Sequence, residues 1–166
     1  MKLEYQPIGI IHTPFSDPAA MPIQPSGARG TRGTVEIYPD YAGGLKDLDG
    51  FSHLILLYHF HLNSGFSLQV VPFLDTEKRG LFATRAPRRP NPIGLSVVRL
   101  AGVEGCTLHV ENLDMLDGTP LLDIKPYVPL FDEQSDVRTG WLETAGTAVG
   151  KKKSDGRFTG NSDVDD

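Results

Sequence analysis

The chain has 166 residues, of which 39% are hydrophobic and 22% are charged, and its formal net charge at pH 7 is −5. These values are typical of one ordinary globular domain and exclude a chain that is disordered throughout. The acidic balance argues against indiscriminate coating of nucleic acid, although it permits a specific contact through one basic face. The single cysteine, Cys106, cannot form an intrachain disulfide, so we expect a reducing, cytoplasmic location.

The predicted elements are short strands separated by Gly and Pro, which indicates a mainly β fold. In chain order they cover residues 7–12, 34–38, 53–62, 80–85, 95–101, 107–113 and 121–127, with a helical turn over residues 40–48. Seven short strands favour a small single-domain β-barrel, and a sandwich is the alternative. We predict that the barrel domain covers residues 1–145 and that residues 146–166 are a polar C-terminal tail. No segment is long and apolar enough to suggest a membrane span.

Residues 21–32 form a first candidate binding loop, in which Gln24, Ser26 and Gly27 offer amide and backbone groups to a ligand. The next candidate is a row of histidines at residues 53, 59 and 61, which a regular strand would place on one face. A His-x-His pair can bind a metal, but further ligands are not apparent, so we expect hydrogen-bonded histidines and no metal.

A basic loop follows the predicted strand at residues 80–85, in the sequence RGLFATRAPRRPNPIG from Arg79 to Gly94. Six basic residues occur from Lys78 to Arg99, and no acidic residue occurs between Glu77 and Glu104. This local reversal of sign predicts an anionic ligand or partner. Three prolines stiffen the loop. The alternative is an edge loop that surface arginines keep soluble.

Three carboxylates surround a predicted tight turn at Asp117-Gly118. Asp114 and Asp123 could accept hydrogen bonds from a ribose hydroxyl or an amine, or balance a bound cation. Asp117 has the same chemistry, but its side chain could instead cap the turn.

Four segments of the chain resemble the landmark blocks of the TrmO (TsaA-like) family, in order over about the first 130 residues. They are QPIGIIHTPF, LDGFSHLILLYHFH, GLFATRAPRRPNPIGLSVV and LDMLDGTPLLDIKPYVP. The resemblance implies a small β-barrel, S-adenosylmethionine as methyl donor, and a homodimer whose interface helps form the donor site. It also implies methylation of N6 of N6-threonylcarbamoyladenosine, next to the anticodon in tRNA. Some members carry a further small domain after the barrel, which we expect this chain to lack.

The resemblance also implies which residues contact the donor, with Ser26 standing where the family has a glycine. The positions carried over are Gln24, Pro25, Ser26, His61, Leu62, Arg85, Leu95, Asn112, Leu113, Asp114, Met115, Leu116, Asp117 and Gly118.

The implied chemistry needs a base, because the lone pair of a carbamoylated adenine N6 is delocalised and its proton must leave during methylation. Asp114, Asp117 and His61 are the candidates for this catalytic role. For the tRNA anticodon loop, the candidates are Arg79, Arg88, Arg89 and Asn91.

Three questions stay open at this stage. Arg85 could bind the donor carboxylate or orient the threonyl carboxylate of the acceptor. The barrel could bind S-adenosylmethionine as a sensor without catalysis, or it could methylate a small molecule.

Overall fold

The computed structural model describes residues 2–17 and 28–145, which contain eight strands. They are β1 (Gly9–His12), β2 (Arg32–Ile37), β3 (His53–His59), β4 (Gln69–Val70), β5 (Arg79–Gly80), β6 (Ile93–Glu104), β7 (Thr107–Glu111) and β8 (Thr119–Pro126). Six of them close into an antiparallel barrel in the order β1-β2-β7-β6-β3-β8, and β4 and β5 form a separate hairpin. The predicted β-barrel is therefore confirmed.

The barrel core is built by alternation along each strand, which turns every second side chain inward. In β3 the inward residues are Leu54, Leu56 and Tyr58, and in β6 they include Ser96 and Val98. The core is completed by buried apolar side chains from the rest of β6, from the other barrel strands and from the segment before β8. These are Ile11, Val35, Ile37, Leu100, Leu108, Val110, Leu113, Met115 and Leu121.

The long strand β6 closes the barrel by pairing with two different neighbours. Its first half pairs with β3, from Ile93 opposite His59 to Arg99 opposite His53. Its second half pairs with β7, with a register shift between Leu100 and Gly102. A second irregularity, in the β3–β8 pairing, lies at Leu57/Tyr58. Bulges of this kind bend strands and allow a small sheet to curl closed.

Three connections meet at one end of the barrel, which we call the upper end: the described parts of the first, residues 13–17 and 28–31, and residues 60–92 and 112–118. This follows from the antiparallel order, because β1, β3 and β7 all end there while β2, β6 and β8 begin there. The lower end carries the short β6–β7 turn and two 3-10 helices, Pro39–Leu45 and Leu48–Gly50. These two helices occupy the predicted helical turn.

The connection at residues 60–92 has a small core of its own beside the barrel. Val70, Leu81 and Ala86 are buried together, and Phe73 packs against them. The hairpin of β4 and β5 and a 3-10 helix, Leu81–Ala83, surround this core. The basic loop is thus supported by packed side chains.

The segment after β8 starts at the lower end of the barrel, where the N–H of Tyr127 bonds to the carbonyl of His53, and it later contacts the connection at residues 60–92. It contains two short helices, α1 (Pro129–Asp132) and α2 (Leu142–Ala145). Between them, the indole Nε1 of Trp141 donates a hydrogen bond to the carbonyl of Ala83, at 2.8 Å. Among the described helices, none has the length and apolar character needed to cross a membrane.

Two strand predictions are wrong in part. The strand predicted at residues 80–85 is a 3-10 helix after Gly80, because Leu81 is buried in the small core and the backbone N–H of Thr84 bonds to the Leu81 carbonyl, at 3.0 Å. The strand predicted at residues 53–62 ends at His59. Phe60 still donates to the carbonyl of Pro92, but Pro92 has no N–H to extend the ladder, and the Phe60 carbonyl accepts from the N–H of Asn63 in a turn, at 3.2 Å. The predicted tail at residues 146–166 lies outside the described residues.

Candidate active site at the upper end of the barrel

The connection at residues 112–118 is tied to the rim on both sides. Asn112 has a left-handed backbone (φ 69°), and its Oδ1 accepts a hydrogen bond from the backbone N–H of Gly30, at 3.0 Å. On the other side, the Thr13 hydroxyl donates to the Met115 carbonyl, at 2.9 Å. The backbone N–H of Asp117 donates to the carbonyl of Phe15, at 2.8 Å. These bonds fix the course of the backbone that carries Asp114.

Asp114 sits at the end of a chain of hydroxyl groups that begins inside the barrel. The Ser96 hydroxyl donates to Oδ1 of Asp114, at 2.6 Å. The Tyr58 hydroxyl lies 3.0 Å from the Ser96 Oγ. Tyr58 and Ser96 are buried and point inward from adjacent strands, whereas Asp114 belongs to the rim. The interior of the barrel is thus connected to its upper end by polar groups.

The environment of Asp114 makes its carboxyl more basic than usual. Burial raises the pKa of Asp114 to about 6, against the opposing effects of the Ser96 hydrogen bond, its own backbone amide and the positive charge of Arg85. At neutral pH the carboxylate is therefore mostly ionised and still accepts a proton more readily than an ordinary aspartate. Asp114 has the properties expected of a general base.

Asp117 is engaged in the structure of the rim. Its Oδ1 accepts the backbone N–H of Thr13, at 3.1 Å, and lies 3.4 Å from Nδ1 of His12. Gly118 follows with a positive φ of 75°, as expected for the predicted tight turn. These contacts tie the Asp117 carboxylate to the end of β1 and do not cap the turn itself, and they favour Asp114 over Asp117 as the base.

His61 lies in the turn after β3 and is partly buried. Burial, followed by the proximity of His59, lowers the pKa of His61, so its ring is neutral at pH 7 and one ring nitrogen can accept a proton. His53 and His59 lie on the outer face of β3, opposite the inward Leu54, Leu56 and Tyr58. Because the strand ends at His59, His61 does not continue their row. Among the described residues, no group of His, Cys, Asp or Glu is suited to hold a metal ion.

The arginines of the basic loop differ in their surroundings. Nε of Arg79 donates to Asp75, at 2.7 Å, and its NH2 group lies 3.0 Å from Glu77, so its charge is balanced within the protein. Arg89 is partly buried and donates to two loop carbonyls, those of Thr84 and Ala86, at 3.0 and 3.3 Å. Its main role in the fold is therefore to brace the loop.

The other polar candidates of this loop are Arg85, Arg88 and Asn91. Arg85 is exposed at the upper end, and its charge acts on Asp114. Arg88 is partly buried beside Gly65, and Asn91 is exposed. A bound anion would meet a positive field from these side chains.

The predicted apolar contacts fall into two groups. Leu62 and Leu95 are 61% and 46% exposed, so a ligand could cover them. Leu113 and Met115 are buried in the barrel core, so only their backbone is placed to meet a ligand. Leu116 is partly buried at the rim. Gln24, Pro25 and Ser26 lie outside the described residues.

Two site residues were missed by the sequence analysis, namely Ser96 and Tyr58. The alternation of the strand predicted at residues 95–101 did contain a signal, since Ser96 shares an inward face with Val98 and Leu100. A lone hydroxyl on an apolar face needs a partner, and Asp114 supplies it. Gly94 makes room for this network, because a Cβ there would overlap the ring of Tyr58.

The residues at the upper end fit S-adenosylmethionine by their chemistry. The carboxylate of Asp114 can face a positive sulfonium, and the fixed backbone of residues 112–118 offers N–H and C=O groups to an adenine or ribose. The Arg85 guanidinium is a partner for a carboxylate. Fold and site together define a small-barrel protein with a polar ligand site at one end.

The family model of the tRNA-methyltransferase O N-terminal domain matches residues 10–133, and the chain belongs to this TrmO family. A probable S-adenosyl-L-methionine-binding protein of Pyrococcus abyssi is 56% identical over 154 residues, which cover 93% of this chain and 84% of that protein. The tRNA (adenine(37)-N6)-methyltransferase of Escherichia coli is 34% identical over 155 residues, covering 87% of this chain and 66% of that protein.

The crystal structure of TrmO from Pseudomonas aeruginosa has the same fold, with a TM-score of 0.72 and 43% sequence identity. The match covers 85% of this chain and 63% of that one, so the present chain spans less than two thirds of that protein. The family resemblance inferred from the four sequence segments is confirmed.

Proposed function

We propose that this chain is an S-adenosylmethionine-dependent methyltransferase that methylates N6 of an adenine in tRNA. The acceptor is N6-threonylcarbamoyladenosine next to the anticodon. The proposal rests mainly on one observation. At one end of a TrmO-family barrel, Asp114 has a pKa raised to about 6 and lies within the electrostatic influence of the basic loop, through Arg85. A base and a positive field are the two features that methylation of a tRNA adenine requires.

The donor lies against residues 112–118, His61, Leu62, Arg85 and Leu95, with the loop at residues 24–26 completing its site. Arg85 pairs with the donor's carboxylate in this arrangement. The opposite assignment, in which Arg85 holds the threonyl carboxylate of the acceptor, is compatible with the same position. The relatives described as S-adenosyl-L-methionine-binding proteins support this donor.

In the transfer step, the N6 lone pair forms a bond to the methyl carbon while the carbon–sulfur bond breaks. The bond pair stays on sulfur, which becomes a neutral thioether, and the N6 proton goes to the Asp114 carboxylate. His61 is the second candidate for this proton, because its lowered pKa keeps its ring neutral. Correct alignment of the three reacting atoms is expected to contribute roughly 7–11 kcal/mol of the lowering of the barrier.

The acceptor side uses Arg88, Arg89 and Asn91, with Arg79 at its margin. The anticodon loop offers phosphates and unstacked bases to this surface. Arg79 contributes least in this proposal, since Asp75 and Glu77 already balance its charge.

The protein acts in this proposal as a homodimer in the cytoplasm, with the donor site near the interface. Support comes from large apolar side chains that the connection at residues 60–92 leaves exposed. These are Leu62, Phe66, Leu68 and Phe82, with exposed fractions of 53–75%. An exposed apolar patch is typical of an association surface.

The proposed function is tested by transfer of labelled methyl from S-adenosylmethionine to tRNA that carries or lacks the threonylcarbamoyl group. Label on the modified tRNA only, located to N6 by nucleoside analysis, is the expected result. Donor binding without any transfer to tRNA would contradict the proposal, and would favour a sensor or a small-molecule acceptor.

A further inference from the structure

We propose that Ser96 and Tyr58 are positioning residues that donate hydrogen bonds in series and hold the Asp114 carboxylate in its working orientation. The inference rests on the proposed function, because it assigns these residues to the reaction through Asp114. Neither side chain is exposed, since Tyr58 is 4% and Ser96 1% accessible. Both act on the chemistry only through the carboxylate.

The direction of this series follows from counting protons. An ionised carboxylate can only accept hydrogen bonds, and a serine hydroxyl has one proton to give. Ser96 gives that proton to Oδ1 of Asp114, at 2.6 Å. In the 3.0 Å contact between Ser96 and Tyr58, the tyrosine must therefore be the donor. Both hydroxyls point their protons toward Asp114.

Tyr58 is a reliable first donor because it keeps its own proton. Burial, and next the negative charge of Asp114, raises the pKa of Tyr58 well above its ordinary value. Hydrogen bonds that donate in one direction strengthen one another in a low-dielectric interior. The series thus stabilises the ionised form of Asp114, while burial favours the protonated form.

The geometry also selects the oxygen that reacts. Oδ1 of Asp114 accepts the Ser96 hydrogen bond, which makes this oxygen less basic, so we assign the N6 proton to Oδ2. The titratable groups that act on this carboxyl come from two directions: Tyr58 from β3, and Arg85 from the connection at residues 60–92. Arg85 lowers the pKa of Asp114 from the ligand side, and the hydroxyl series lowers it from the barrel side.

The barrel is shaped to admit this arrangement. Gly94 precedes Ser96 by two residues on the same inward face of β6, and a Cβ at Gly94 would overlap the Tyr58 ring. The Tyr58 ring also packs edge-on against Phe60, with centroids 5.4 Å apart. Its hydroxyl is thereby directed toward Ser96.

The test is a titration of Asp114 by carbon NMR in protein labelled at aspartate carboxyls, with Asp114→Asn to identify the resonance. We expect Ser96→Ala to raise the pKa of Asp114 by about one pH unit, a tenfold gain in proton affinity. Tyr58→Phe should give a smaller rise of the same sign. Both replacements are nearly isosteric, so the barrel should fold.

The control is Thr119→Val, which removes another buried hydroxyl of the barrel. That hydroxyl donates to the carbonyl of Leu116, at 2.7 Å, and so should leave the titration of Asp114 unchanged. An unchanged titration in Ser96→Ala, or an equal shift in Thr119→Val, would overturn the inference.

The role in the reaction is read from the pH dependence of kcat for methyl transfer. We expect the apparent pKa on the acidic side of this pH profile to rise in Ser96→Ala by the same amount as the pKa of Asp114 measured by NMR. The Kd for the donor should be unchanged. If the pKa of Asp114 measured by NMR rises but the apparent pKa in the profile of kcat does not, the assignment of Ser96 to the reaction is overturned. Full transfer by Asp114→Asn would instead show that the proposed base is wrong, and the NMR result would still decide whether the hydroxyl series acts on Asp114.

Discussion

The suitability of Asp114 as a base depends on contacts that are visible only in the folded protein. Four carboxylates lie in the sequence from Glu111 to Asp123, and sequence pattern could not rank Asp114 above Asp117 as the base. The structure separates them, since the Asp117 side chain bonds to Thr13 at the end of β1 while Asp114 accepts a hydrogen bond from a buried serine. The partner of Asp114 is 18 residues distant along the chain, so no local pattern could have shown the contact.

The raised pKa of Asp114 has a consequence for stability. A carboxyl whose pKa is near 6 when folded and near its ordinary value when unfolded binds more protons in the folded state between pH 4 and 6. Its contribution is therefore fully present below about pH 4 and is lost as pH rises through about 6. We expect the free energy of unfolding of the wild type, relative to Asp114→Asn, to fall by up to about 3 kcal/mol across this interval.

Urea unfolding of both proteins at pH 4 to 7 measures this difference. Asn can still accept the hydrogen bond from Ser96, so the comparison isolates the titration of the carboxyl. A difference that rises with pH, or stays constant, would show that burial does not raise the pKa of Asp114.

At the scale of elements, strands in which apolar and polar residues alternate over several positions could be predicted from the sequence. The structure of the connections between them could not. The predictions at residues 107–113 and 121–127 overlap β7 and β8, because inward and outward residues alternate there. The apparent alternation at residues 80–85 arises from Leu81 packing against Val70 and Ala86, a contact that depends on the hairpin of β4 and β5. Strands of two residues leave no signal in the sequence.

The packing of β6 around the hydroxyl groups of Tyr58 and Ser96 can be tested by a substitution at Gly94. Gly94→Ala places a methyl group against the Tyr58 and Phe60 rings, so we expect a loss of about 1–3 kcal/mol in the free energy of unfolding. Gly102→Ala, in the same strand, is the matched control, since an added Cβ there meets no atom within 4 Å. Chemical denaturation of the two variants gives the comparison, and equal stabilities would contradict the packing described around Tyr58.

At the scale of the whole molecule, the barrel was predictable as a class but its closure was not. The contacts of β8 with β1 and β3 join segments more than 60 residues apart, and only the folded structure reveals them. Once the strand order is known, the three connections must meet at the upper end. The predicted site residues on these connections therefore lie near one another in the fold, although the sequence alone did not show that they are neighbours.

Binding of tRNA should depend strongly on salt. Each phosphate contact contributes a slope of about −0.7 to −0.9 in a plot of log K against log salt concentration. Arg88→Ala should make the slope less steep by roughly the value of one phosphate contact. Arg99→Ala is the control, because Arg99 pairs with Glu111 on the barrel wall, at 2.8 Å. Equal slopes for the two variants in filter binding would remove Arg88 from the tRNA surface.

The proposed dimer can be tested through the exposed apolar side chains of the connection at residues 60–92. We expect light scattering with donor present to give twice the chain mass of 18.1 kDa, and Phe82→Asp to shift it toward the monomer. Leu130→Asp, at an even more exposed apolar position on α1, serves as the comparison and should leave the dimer intact. A monomeric wild type, or a dimer disrupted by Leu130→Asp alone, would contradict the proposed interface.

The measurement that tests the account most directly is single-turnover methyl transfer to threonylcarbamoyl-modified tRNA by the wild type and Asp114→Asn. We expect the wild-type rate to rise with pH through about 6 and then level off, as the carboxylate ionises. Asp114→Asn should be slower by about 10²–10⁴-fold when S-adenosylmethionine is saturating. A variant that transfers methyl at the wild-type rate would contradict the assignment of Asp114 as the base and would leave His61 as the remaining candidate.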